Sequence, residues 1–265
     1  MRSPWWTAKL SAMPHRTFTS DELTDYLHLA PGEVERLMRE SDLPYAWRGG
    51  RAVFQRGEID AWASRRILGL PGKRLDVYHE KSGQGTRGIF PDGALIPALI
   101  RAEYIDLALA PRTRASAVRT MVALAVRTGR VLDPRELLKS VEEREALCPT
   151  ALPGGLALLH ARHHAEYRFE GSFVVMVRAV QPVPFGAPDG QPTQFFFLIC
   201  CQDDRIHLHT LARLCLLARN TDVVAQLFAA SDASAAFNAL VNAERAVLPQ
   251  PAGKKPAHTK RRRNG

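Results

Sequence analysis

The stretch Arg144-Glu-Ala-Leu-Cys-Pro-Thr150, running on into Gly154-Gly-Leu-Ala-Leu-Leu-His160-Ala-Arg162, decides how this chain is read. It reads as the end of a polar helix, then a loop broken by Pro149, Pro153 and two glycines, where the backbone enters conformations other residues avoid. Leu156 to Leu159 is too short an apolar run for a helix and suits a buried strand. His160 ends that strand, where a polar side chain emerges from a rigid support into a cleft. Further on, His207 and His209 open an amphipathic segment behind the apolar run Phe195 to Cys201.

A chain of 265 residues makes one or two domains and buries a core of useful size. Its four cysteines form no C-x-x-C pair, which fits a reducing cytoplasm better than a disulfide scaffold or a zinc ribbon. Phe195 to Cys201 is far short of the ~20 apolar residues a membrane helix needs, and no signal segment opens the chain. The expectation is a soluble cytoplasmic protein without membrane insertion. Of the formal net charge of +9, six charges belong to Lys254, Lys255, Lys260, Arg261, Arg262 and Arg263, in a tail with no acid. The high isoelectric point therefore says little about the folded parts.

Residues 1–17 lack periodicity and read as a flexible arm. From Phe18, a helix start at Thr19 or Ser20 leads to Leu23, Tyr26 and Leu27 at helical spacing. Ala30-Pro31-Gly32 breaks it, and Val34, Leu37 and Met38 mark a second helix. Gly49-Gly50 between Tyr45–Trp47 and Val53–Phe54 is a hairpin signal, and Glu58 to Trp62 begins a third helix. Residues 65–92, rich in glycine and base, read as a linker. Residues 93–246 hold helix patterns at 115–127 and from Pro134, then strands at 155–159, 173–180 and 194–201. Helices follow at 206–219, 221–230 and 233–244. Helices on both sides of a short strand set predict a layered α/β domain. Residues 247–265 read as a disordered basic tail.

Residues 18–64 resemble the excisionase-type winged helix-turn-helix, through Glu22-Leu23 to Leu29, Val34 to Leu37, Leu43-Pro44, Gly49-Gly50-Arg51 with Phe54, and Ile59 to Trp62. The resemblance implies DNA as a partner, with Arg36 and Arg39 on or near the recognition helix and Arg48, Arg51 and Arg56 on the wing. Five Arg against nine Asp and Glu in this module mean that the arginines must gather on one face, since phosphate neutralisation dominates affinity.

Residues 93–246 resemble the phosphotransferase-system enzyme IIA domain of the fructose/mannitol type, with its nitrogen-regulatory branch. The family pattern Arg-Glu-x-x-x-x-Thr, Gly-x-Ala-x-Pro-His and His-Leu-x-x-Leu is met by Arg144-Glu145 with Thr150, by Gly155 to His160, and by His207-Leu208 with Leu211. Leu159 stands where the family usually has proline. The resemblance implies a mixed sheet flanked by helices. It also implies a phosphoryl group carried on His160, with His207, Arg144 and Thr150 holding its oxygens. No cofactor and no metal are implied. A histidine phosphocarrier protein is the implied donor, and an enzyme IIB domain or a regulatory target the recipient.

The chemistry suits these residue types. A histidine attacks phosphorus through a neutral ring nitrogen while an acceptor on the other nitrogen fixes the tautomer. Cations and hydrogen-bond donors then stabilise the transferring group. The leading expectation is a phosphohistidine carrier or sensor coupled to DNA binding, in which a dianion on His160 alters how the two domains pack. Two rivals stand beside it: a non-catalytic interaction protein with a vestigial site, and a sugar-transport IIA subunit. Zinc held by His160, His163, His164, His207 and His209 matches no metal-site spacing.

Overall fold

The structure, a computed structural model, describes residues 17–30, 32–40, 43–86, 88–90, 92–162 and 168–248. The arm expected over 1–17 lies outside these residues but for Thr17. The tail expected over 247–265 does so but for Val247 and Leu248. β1 (Thr17–Phe18) leads into α1 (Ser20–Tyr26), started by a capping box in which the Glu22 carboxylate accepts the Thr19 amide at 2.8 Å. α2 (Glu33–Arg39) follows, then β2 (Ala46–Arg48) and β3 (Arg51–Gln55). Arg48 pairs with Arg51, so Gly49 and Gly50 make a two-residue turn with φ of 56° and 74°, as a type I′ hairpin requires. β1 covers the other side of β3, giving a small sheet of order β1-β3-β2.

The stretch expected as a linker at 65–92 is helical over most of its length. α3 (Arg56–Gly69) runs to its break at Leu70-Pro71, and α4 (Gly72–Thr86) follows at once. Local propensity hides α4, because each interior glycine costs a helix about 1 kcal/mol against alanine. Tertiary docking makes the helix: Leu75 is buried, and Gly83 brings α4 against a helix of the second domain, where an added Cβ would stand 3.3 Å from His209 Cε1. Burying a leucine-sized side chain contributes about 1.5–3 kcal/mol.

The second domain begins with the short α5 (Ile96–Leu99) and β4 (Ile105–Leu109). α6 (Arg114–Arg127) and α7 (Pro134–Leu147) come next; Asp133 caps α7 through the amides of Arg135 and Glu136, with Pro134 at its first position. Four strands follow: β5 (Ala151–Leu152), β6 (Leu156–His160), β7 (Phe173–Val183) and β8 (Thr193–Cys200). α8 (Asp204–Asn220), α9 (Val223–Ala229) and α10 (Ala233–Val247) close the domain. The sheet has order β4-β7-β8-β6-β5; β4 is parallel to β7 and β6 to β8, while the other neighbours are antiparallel. This is a mixed sheet flanked by helices, as expected.

β8 is apolar without alternation because both of its faces are covered. Phe196, Leu198 and Cys200 pack with Met121 and Val122 of α6 and with Leu137 and Val141 of α7. Phe195, Phe197 and Ile199 pack in the cluster that holds Leu211 of α8 and Leu240 of α10. Trp62 and Ile67 of α3 and Leu75 of α4 belong to that same cluster, so the helix-turn-helix and the second domain share one continuous core. Among the described residues no helix is long and apolar enough to cross a membrane.

Candidate functional site

Parallel pairing of β6 with β8 brings their C-terminal ends together, with His160 opposite Ile199. β8 ends at Cys200 and α8 starts at Asp204, so the first turn of α8 sits beside the end of β6. Asp203 caps that turn through the amides of Arg205 and Ile206. His207 lies in it, and its ring stands 4.8 Å, centroid to centroid, from the ring of His160. Crevices at the carboxyl ends of strands are where α/β sheets build their sites.

His160 Nδ1 is 2.9 Å from the carbonyl oxygen of Leu158. A carbonyl only accepts, so Nδ1 carries the proton and Nε2 the lone pair. Arg144, in the last turn of α7, donates Nε–H to His160 Nε2 at 3.0 Å and Nη1–H to the Cys148 carbonyl at 3.1 Å. Its Nη2 has no hydrogen-bond partner among the described residues, although the side chain is only 1% exposed. Leu159 continues the ladder into His160, with Leu198 opposite it. A proline there would offer no N–H.

Three of the four expected site residues therefore meet: His160, His207 and Arg144. Thr150 is buried next to them in sequence but turned to another task. Its hydroxyl donates to the Glu145 carboxylate at 2.7 Å and its amide to the same group at 3.2 Å, while its carbonyl accepts the Leu158 amide. Burial pushes the Glu145 carboxyl above the ordinary glutamate range, and the Thr150 hydroxyl and amide pull it part of the way back. Thr150 thus braces the strand that carries His160.

Ser64 of α3 was not expected here, yet its Oγ lies 3.3 Å from His207 Nε2. The available signal was the i, i+4 pair of polar residues Asp60 and Ser64, set among Ile59, Ala63 and Ile67, on a helix whose apolar side must be buried. Arg56 departs from its expected place on the DNA side of the wing. Its Nε donates to Asp204 Oδ2 at 2.8 Å, because α3 lies across the start of α8 and a half-buried guanidinium takes the nearest carboxylate.

Of the remaining arginines, Arg39, Arg48 and Arg51 are exposed, and Arg48 and Arg51 face each other at the hairpin tip beside exposed Trp47. Arg36 reaches Glu33 at 3.0 Å and Glu40 at 3.5 Å. His209, one turn-face away from His207, is buried against α4, with Nδ1 2.7 Å from Ser82 Oγ and its ring stacked on His79. Of the other imidazoles weighed as zinc ligands, His163 and His164 lie outside the described residues. Among the described residues no group of three or more His, Cys, Asp or Glu could hold a metal ion.

Comparison with known proteins agrees with this architecture. The family model described as "Phosphoenolpyruvate-dependent sugar phosphotransferase system, EIIA 2" matches residues 98–243, and a helix-turn-helix domain model matches residues 17–67. A nitrogen regulatory protein of Bradyrhizobium diazoefficiens is 30% identical over 148 residues, covering 55% of this chain and 94% of that protein. A PTS system fructose-specific EIIA component of Haloferax volcanii is 28% identical over 137 residues, covering 51% and 87%. The crystal structure of nitrogen regulatory protein IIA-Ntr from Neisseria meningitidis superposes with a TM-score of 0.50 at 23% identity, covering 56% of this chain and 99% of that one. With more than half of its length matched, the chain belongs to the EIIA 2 family of the phosphoenolpyruvate-dependent sugar phosphotransferase system, and it carries a helix-turn-helix domain in front of the EIIA domain.

Proposed function

We propose that His160 accepts a phosphoryl group from a histidine phosphocarrier protein, and that the chain uses it as a signal to its DNA-binding module. The observation that carries this reading is the tautomer lock. Leu158 holds the proton on Nδ1, which leaves a neutral Nε2 lone pair between a buried guanidinium and a second imidazole. The lone pair forms the new N–P bond as the donor's N–P bond breaks, and Nδ1 keeps its proton throughout. Arg144 exchanges its hydrogen bond on Nε2 for the phosphoryl oxygens, a geometry its fork suits. His207 supports the oxygens from the other side. An enzyme IIB domain or a regulatory target receives the group, and the helix-turn-helix domain in front of the EIIA domain favours regulation over transport.

Incubation with phosphoenolpyruvate, enzyme I and phosphocarrier protein labels the wild type with acid-labile phosphate, while His160→Ala takes up none. Equal labelling of both overturns His160 as the acceptor, and labelling of neither leaves the interaction-protein reading in its place.

A further inference from the structure

The site is assembled but shut. His160 and His207 are 1% and 0% exposed, so no donor protein reaches the Nε2 atom in this arrangement. In-line transfer needs the donor imidazole, the phosphorus and the acceptor nitrogen on one axis, which leaves no room for other cover. On the His207 side the cover is the chain's own α3, with Ser64 Oγ on His207 Nε2 and Arg56 closed onto Asp204 at the start of α8. The closed state also occupies the nucleophile, because Arg144 Nε–H already sits on its lone pair.

The acids on the two facing helices point the same way. Asp60 is one turn before Ser64, Asp204 is in the same turn as His207, and both are 5% exposed. A dianion added to His160 is buried next to the helix turns that carry these carboxylates, and like charges in a dry site repel. On the α3 side the Tyr26 hydroxyl donates to Asp60 at 2.7 Å, and Arg56 closes onto Asp204.

The module also has a place to bend. α4 stays anchored on α8 through Ser82 with His209, His79 with Arg213, and Asn220 with Asp76. Between α3 and α4 stand only Leu70 and Pro71, and the hydrogen bond from Arg219 Nη1 to the Leu70 carbonyl at 2.7 Å pins the anchored side.

We infer that the helix-turn-helix module is a self-inhibitory cap, so that docking of α3 on α8 and phosphorylation of His160 exclude each other. The donor gains His160 when α3 lifts about Leu70-Pro71, and the phosphorylated chain keeps residues 17–69 released. This rests on His160 being the acceptor.

The test uses the full chain with phosphoenolpyruvate, enzyme I and phosphocarrier protein. Arg56→Ala, which removes the clasp without touching the histidines, takes up label faster than wild type by about 5- to 150-fold, the usual range of coupling between sites. In wild type, phosphorylation speeds amide hydrogen exchange over residues 56–69 and leaves 72–86 unchanged. Equal labelling rates together with unchanged exchange over 56–69 overturn the cap while the acceptor assignment stands. No label on either protein overturns both. Should Arg56→Ala lose its circular-dichroism signature of folding, exchange in the wild type alone decides.

Discussion

At the scale of single residues, the site turns on which nitrogen of His160 carries the lone pair, and the Leu158 carbonyl decides that. Arg144 then matters through its fork. Arg144→Lys keeps a cation but loses the planar donor set, and one charge-assisted hydrogen bond contributes about 1.5–3 kcal/mol. The expected outcome is a fall in the phosphorylation rate of about 10- to 100-fold at a temperature where both proteins remain folded; an unaltered rate would remove Arg144 from the site. Glu145 has a structural part. Glu145→Ala leaves the Thr150 amide and hydroxyl buried without their acceptor, at a cost of about 1–3 kcal/mol for each group. A lowered urea midpoint with an unchanged slope checks this, and Thr150→Val, which deletes the hydroxyl donor, is the milder variant.

At the scale of elements, the join between α4 and α8 is held by groups that must stay neutral. Burial pulls both His79 and His209 down to about 3; Arg213 adds to this at His79, while His79 and then Arg213 do so at His209. Arg213 donates Nε–H to His79 Nε2 at 2.6 Å and is neutralised by Glu244 of α10, whose carboxylate also accepts the amides of Leu95 and Ile96. The unfolded histidines protonate near their ordinary 6.5 and the folded ones do not, so the unfolded state binds more protons between those values. Stability is therefore full above pH 6.5 and is lost as pH falls below it, at up to about 1.4 kcal/mol per pH unit for each imidazole. Urea unfolding at pH 7.5, 6.0 and 5.0 measures the slope, and it should shrink in His209→Gln. Removing one member of the Arg213–Glu244 pair, as in Glu244→Ala, costs about 3–5 kcal/mol because it strands a buried charge.

At the scale of the whole molecule, the N-terminal module carries a net negative charge, and its exposed cations are few and gathered at the hairpin tip and the end of α2. Arg39, Arg48 and Arg51 are exposed and are the DNA contacts we propose, whereas Arg56 is held by the EIIA domain. Replacing Arg48 and Arg51 together by alanine is expected to weaken DNA binding at every sequence tried and to reduce the salt slope by about 2. Fluorescence anisotropy across a salt series reads both quantities. Unchanged affinity and slope would take the wing off the DNA.

Much of the layered fold was legible because its signals are local. The Gly49-Gly50 turn, the Asp133-Pro134 helix start and the unbroken apolar run of β8 each follow from the residues that form them. So did the order of Arg144, His160 and His207, although periodicity alone could not say that the two rings meet; the parallel register of β6 with β8 does that. What the sequence by itself determined is which elements form and which residue types stand at their ends. Only the tertiary structure decided that the glycine-rich 72–86 is a helix, that Thr150 serves Glu145, that Ser64 meets His207 and that Arg56 meets Asp204. The reason is physical: each of these depends on contacts between residues far apart in the chain, and such contacts leave no periodicity in a local window.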